Sequence, residues 1–310
     1  LLGGGGILYD TEARAYLREV SLAHELGIPT FAFAVGIGPL TDGEERSAVR
    51  DGLDRMAGIT VREVTAKRLC QEIGVGVPVE VTADPALLLE PMAFTDEMLA
   101  RESIPVDRPL VGFSVRERGG AAPDLDTVEY HQIIADVADF CARRYDAEAV
   151  FVPMEKADRN EIHQAISMMV HSERAHVLRG DYHPRQIRGL IERFDLAAGM
   201  RLHFLIFAAT AGTPLVPLPY ASKVADLVAS LGIADADHVA DARTGTFLAG
   251  LDRLWDDRDA QRRRLAERLP ALRALAERTV PLALDVIGRG PGVSPSQQTG
   301  EQLANPPIAY

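Results

Sequence analysis

The strongest constraint on this chain is a rhythm: apolar runs of roughly four to eight residues, each followed by a longer amphipathic stretch, repeat through most of its length. Parallel strands buried on both faces read as unbroken apolar runs, and each needs a crossover before the next strand can pair. The rhythm therefore predicts βαβ units. In the first third, "PTFAFAVG" (29–36), "GITVRE" (58–63) and "PVEVTADPALLL" (78–89) are the strand candidates, with helices expected near 44–56 and 63–73. Ahead of them stands "LLGGGGILYD" (1–10), in which four glycines follow two leucines. Glycines are needed where another group comes close to the backbone, and the helical period of "DTEARAYLREVSLAHELG" places the run at a β-to-α junction, with Asp10 or Thr11 available as N-cap.

A second series begins at "PLVGFSVR" (109–116). It continues through a helix near 125–144, "AEAVFVPM" (147–154), a helix near 158–171, "AHVLRG" (175–180), "FDLAAGMR" (194–201) and "PLVPLP" (214–219). Five strands with crossovers make a Rossmann-like domain. Between the series, "EPMAFTDEMLARESIPVDRP" (90–109) is rich in proline and charge and reads as a boundary. With 310 residues the chain exceeds one ordinary core. The expected division is an N-terminal domain over 1–92, a linker over 93–108, a C-terminal domain over 109–287 and a disordered tail over 288–310. Residues 243–279 are expected to be helical, broken or kinked at Pro270. Two such α/β domains, facing each other across a cleft, would place the carboxyl ends of their strands around it, where open α/β sheets bind ligands.

A net charge of −12 argues against nucleic acid as a partner, because an acidic surface opposes phosphate binding outside a locally basic pocket. No apolar run approaches the ~20 residues of a membrane-spanning helix. Cys70 and Cys141 lack CxxC spacing and are expected as buried free thiols, which fits a cytoplasmic location. Peripheral contact with the inner membrane face through "FLAGLDRLW" (247–255) is a second option, against packing of that helix on its own domain.

The chemistry should lie at the strand ends. Arg62, Arg116 and Arg201 each follow a β-type run directly, and guanidinium suits phosphate and carboxylate through paired hydrogen bonds. A small, multiply charged anion is the ligand class they suggest, set against interdomain salt bridges as the plainer role. His203, at the start of the helix "LHFLIFAATAG", is the proton-transfer candidate, set against a simple capping histidine. Asp84 is read as fixing a turn. Gly4, Gly5 and Gly6 match a dinucleotide fingerprint only loosely, since Tyr9 stands at its third small position; they are expected to let a loop backbone approach a substrate in the cleft, so that Gly5→Val would lose activity with little loss of folding.

Seven ordered stretches, "GGGGILYD", "AVGIGPL", "ITVRE", "EVTADPALLL", "VGFSVR", "FVPM" and "GMRLHFLIFAATAGTPLVPLPYASKVADLVASLGI", together resemble the polysaccharide pyruvyl transferase family over residues 1 to about 232. The resemblance implies a fold like that of B-type glycosyltransferases, phosphoenolpyruvate as donor and co-substrate, no cofactor or metal, and a sugar hydroxyl pair as acceptor, lipid-linked or nucleotide-linked. The product would be a cyclic pyruvate ketal. It also implies donor binding by Arg116, Arg201 and His203, with Leu202 contributing its backbone; Arg62 falls in a further shared motif. Members begin with a Gly-Asn-x-Gly-Asp-type segment before the glycines, so an incomplete N-terminal domain is expected. Two alternatives are a nucleotide-sugar glycosyltransferase or epimerase, with Glu155 gripping a ribose, and a non-catalytic sugar-binding relative. Acceptor identity and oligomeric state are not legible from these residues.

Overall fold

In the computed structural model, which describes residues 1–10, 12–117, 126–217, 222–233 and 244–288, the apolar runs become two all-parallel sheets. The first comprises β1 (Leu2–Gly3), β2 (Phe31–Val35), β3 (Gly58–Val61) and β4 (Val79–Val81), side by side in chain order. The crossovers are α1 (Ala13–Glu25), α2 (Gly43–Leu53) and α3 (Val64–Glu72). Ala32, Val35, Ile59 and Val61 of the strands share one core with Leu17, Val20, Val49, Leu53 and Cys70 of the helices. Burial of such side chains at roughly 25 cal/mol per Å² of apolar surface is what holds strand to helix. The expected long strand at 78–89 ends early, because Asp84 turns the chain: its carboxylate accepts from the Ala86 amide at 2.9 Å, and Pro85–Leu88 form one 3-10 turn.

Asp10 does not cap α1. Its carboxylate accepts the Thr41 amide at 2.8 Å and tethers the loop after β2, while Glu12 occupies the cap position without a side-chain bond; Thr11 lies outside the described residues. Asp42 caps α2, accepting from the Glu44 and Glu45 amides at 2.8 and 3.0 Å.

The second sheet contains β5 (Leu110–Ser114), β6 (Glu148–Phe151), β7 (Ala175–Val177), β8 (Leu196–Gly199) and β9 (Leu215–Pro217) in the order β7-β6-β5-β8-β9. Its helices include α4 (Asp96–Arg101), α5 (Thr127–Tyr145), α6 (Asp158–Met168), α7 (Pro184–Ile191), α8 (Leu202–Ala211) and α9 (Ser222–Ser230). The chain winds outward from β5 in one direction, then returns to β8 on the other side. The topological switch therefore falls between β5 and β8.

The domain boundaries differ from those expected. One unit is Leu1–Leu88 with the chain from Ala271 onward, and the other is Leu89–Pro270. The proline-rich stretch is no free linker: Thr95 caps α4, Phe94 packs on Tyr182, and Glu102 accepts the Arg179 and Gly180 amides at 2.7 and 3.0 Å. Helix α10 (Thr244–Asp256) is followed by α11 (Arg258–Glu277), which runs through Pro270, so the helical break falls at Asp257 instead. Then α12 (Thr279–Gly288) returns to the first unit, where Ala283 and Val286 pack on Phe31 and the Thr279 hydroxyl lies 2.7 Å from that of Thr60. Residues 289–310 lie outside the described residues.

Phe247, Leu248, Leu254 and Trp255 of α10 pack against the second unit's core, the plainer of the two roles open to that stretch. Cys70 and Cys141 are buried and free. Among the described residues, no helix is long and apolar enough to cross a membrane.

Candidate functional site

The second unit gathers most of the sequence-predicted groups at its switch point. Ser114 and Gly199 are register partners at the ends of β5 and β8, so Arg116 and Arg201, each two residues further on, leave neighbouring strands at the same level. Arg116 pairs with Glu117, and Arg201 Nη2 lies 3.7 Å from the same carboxylate, so the two arginines meet across one glutamate. The Tyr130 hydroxyl, from α5, holds the Arg116 carbonyl and fixes the path of that loop.

Arg201 carries two further carboxylates. Along one edge of the guanidinium, Nε donates to Asp158 Oδ2 at 3.2 Å and Nη2 to Asp158 Oδ1. Along the other, Nη1 and Nη2 donate to Glu155 at 2.7 and 2.9 Å. Asp158 is itself fixed, because its Oδ2 also accepts the Met154 and Glu155 amides at 3.0 and 2.9 Å after β6. Three strands thus build one cluster. Burial works against the Arg201 charge, but the hydrogen bonds and charge of Asp158, with Glu155 and Glu117, raise its pKa further. For Glu117 burial pushes upward, and Arg116 and Arg201 outweigh it, holding the carboxyl below the usual range.

Arg201 is also the N-cap of α8, with no side-chain cap bond. Leu202, half-buried, and His203, exposed, form the first turn. The amides of a first turn have no partner within the helix, and their dipoles favour an anion. An imidazole, a ten-residue helix start and two arginines therefore stand together.

Arg62 belongs to the first unit, where all four strand ends contribute. Its side chain is 5% exposed and pairs with Glu63 at 2.6 Å and with Asp84. It lies against the loops after β1 and β2: a Cβ on Gly5 would stand 2.3 Å from Arg62 Nη2, and one on Gly36 3.0 Å from it. The close neighbour implied by the glycine run is therefore a side chain of the same unit. Gly4 and Gly6 serve differently, at φ of 121° and 74°, where side chains are disfavoured. Gly5→Val thus bears on folding, contrary to the expectation that folding would be spared. Glu155, expected as a ribose ligand in one alternative, is instead bonded to Arg201.

Sequence reading missed Glu63, Glu117 and Asp158. Glu63 and Glu117 each directly follow a singled-out arginine, a cue that was present. Asp158 gave a weaker one, an acid at the start of a helix.

Several solved structures have similar folds. The UDP-GlcNAc 2-epimerase of Neisseria meningitidis, bound to UDP-GlcNAc, is 13% identical with a TM-score of 0.60, over 87% of this chain and 73% of its own. The UDP-forming trehalose-phosphate synthase of Burkholderia vietnamiensis is 13% identical with a TM-score of 0.59, over 91% and 72%. The N-terminal domain of Candida albicans trehalose-6-phosphate phosphatase is 13% identical with a TM-score of 0.52, over 89% and 73%. At such identity the likeness defines the class of fold alone: two parallel α/β units, as in B-type glycosyltransferases and sugar epimerases. No curated protein matches the chain. The sequence pattern of the family described as "Polysaccharide pyruvyl transferase" matches residues 1–222, and the chain belongs to that family. It is a transferase of pyruvyl groups in polysaccharide formation.

Proposed function

We propose that this enzyme takes its pyruvyl group from phosphoenolpyruvate and sets it across two hydroxyls of a sugar as a cyclic ketal, releasing phosphate. The observation that carries this reading is the meeting of Arg116 and Arg201 at Glu117, on neighbouring strand ends, beside the first turn of α8 with His203. Phosphoenolpyruvate presents a phosphate and a carboxylate, and two guanidinium groups plus helix-start amides match that pair of anions.

In the proposed reaction one sugar hydroxyl adds to C2 of the enol phosphate while C3 takes a proton, giving a methyl group and a carbon that still bears phosphate. His203, as imidazolium, supplies that proton. The C2–O bond to phosphate then breaks, with both electrons leaving on the phosphate, and Arg116 and Arg201 stabilise the charge that gathers there. The second sugar hydroxyl closes on C2 and gives up its proton, which restores the imidazolium. The first hydroxyl's proton departs on the phosphate, so atoms and charge balance without an added oxidant or reductant. Arg62, buried between carboxylates, holds the first unit's strand ends together in this reading.

Mass spectrometry of candidate acceptors incubated with phosphoenolpyruvate tests the proposal. The expected product is heavier by one pyruvate less one water, with one phosphate released per ketal. The UDP-GlcNAc-bound epimerase supplies the second reading, a nucleotide-sugar enzyme. Thermal stabilisation by UDP-sugars and none by phosphoenolpyruvate would favour it, since a ligand that binds only the folded state raises its stability.

A further inference from the structure

We propose that the two carboxylates on Arg201 have opposite tasks: Asp158 is a positioning residue that fixes the guanidinium, and Glu155 occupies the guanidinium edge that an incoming anion takes over. The inference rests on the reading of this cluster as the donor-anion site.

A guanidinium has five N–H groups in a planar fork. Asp158 engages Nε and Nη2, and Glu155 engages Nη1 and Nη2, so four of the five are used on two separate edges. A phosphate or carboxylate can bind Arg201 through paired bonds only if one carboxylate withdraws. The structure shows which one can. The Asp158 side chain is 0% exposed and also holds two backbone amides, so its departure would leave those donors and a buried cation unmatched. The Glu155 side chain is 62% exposed, and its carboxylate makes no other bond among the described residues. It can swing into water, which solvates its carboxylate, while the incoming anion takes over the Arg201 edge it leaves, so the buried guanidinium is never unmatched. Charge supports the exchange: Arg116 and Arg201 face Glu117, Glu155 and Asp158, and a dianion would be repelled unless an acid moved aside. With Glu155 withdrawn, the anion meets an arginine already aimed by Asp158, which lowers the cost of ordering it.

The test uses the full chain and two near-isosteric variants, with inorganic phosphate and phosphoenolpyruvate as separate probes in calorimetric titrations. Glu155→Gln removes the internal competitor and is expected to bind phosphate about 2–5-fold more tightly than wild type. Asp158→Asn can keep an oxygen on the Met154 and Glu155 amides while turning an NH2 group toward Arg201 Nη2. It is expected to bind phosphate at least tenfold more weakly and to raise the donor KM more than it lowers kcat, whereas a purely structural role would lower melting temperature alone. The proposal is overturned if Glu155→Gln binds phosphate no more tightly than wild type, or if folded Asp158→Asn binds it equally well. Should Asp158→Asn not fold, the Glu155→Gln comparison decides. The donor assignment fails separately: phosphate binding with the expected order, but no binding or turnover of phosphoenolpyruvate, keeps the exchange and removes the donor.

Discussion

Replacing Gly5 with alanine adds a single carbon, and the structure says what that carbon meets. Its position is 2.3 Å from Arg62 Nη2 and 2.8 Å from Cζ and Nη1. Ordinary separation is about 3.5 Å, so the guanidinium would have to retreat by roughly 1 Å. On a flexible surface arginine such a retreat would be cheap. Here the side chain is buried and held by Glu63 and Asp84, so a retreat has to lengthen those ion pairs. Full loss of a buried ion pair costs about 3–5 kcal/mol, and a partial shift suggests about 2–4 kcal/mol for Gly5→Ala. At roughly 2–4 °C per kcal/mol, melting of the first unit should fall by about 5–15 °C. Differential scanning calorimetry checks this, with Gly43→Ala as control: it opens α2, its Cβ meets nothing within 4 Å, and it should be neutral or slightly stabilising. The decisive comparison is a double-mutant cycle, since Gly5→Ala should cost little once Arg62 is already alanine. A Gly5→Ala protein that melts like wild type, or a cost that persists without Arg62, would refute the reasoning.

His203→Ala should remain folded, because the residue is exposed, yet lower phosphate release from phosphoenolpyruvate by about 10²–10⁴-fold; unchanged turnover would remove the histidine from the chemistry. Glu117, whose pKa is lowered in the fold, contributes stability that is fully present above the ordinary glutamate value of 4.5 and is lost as pH falls through its lower folded-state value. A pH series of melting temperatures should therefore show wild type above Glu117→Gln near neutrality, with the gap closing in acid; a gap that widens in acid has the wrong sign. Burial pushes the Cys70 thiol up to about 11 and that of Cys141 higher still, so a thiol reagent at pH 8 should label neither in the folded protein and both in denaturant. Rapid labelling of the native chain would contradict this.

Most of the architecture was legible in the sequence because a parallel strand buried on both faces writes its burial into consecutive residues. The runs around 31–35, 58–61, 110–114, 148–151 and 196–199 needed no partner to be recognised. The arginines were found for a related reason, since the residue just beyond such a run must leave the sheet. What stayed hidden was every fact that depends on pairing across long stretches of chain. Nothing local in "TVPLALDVIG" says that α12 returns to the first unit, because its apolar face would suit any complementary surface. Nothing near Gly5 names Arg62, 57 positions away, as the group that excludes a side chain. Asp158 reads as a helix-start acid, and only the placement of β6 beside β5, and β5 beside β8, brings it to Arg201. Local sequence determined which segments bury and where charge emerges from them; strand order, which sets the distance between those charges, was decided by the packing of whole sheets.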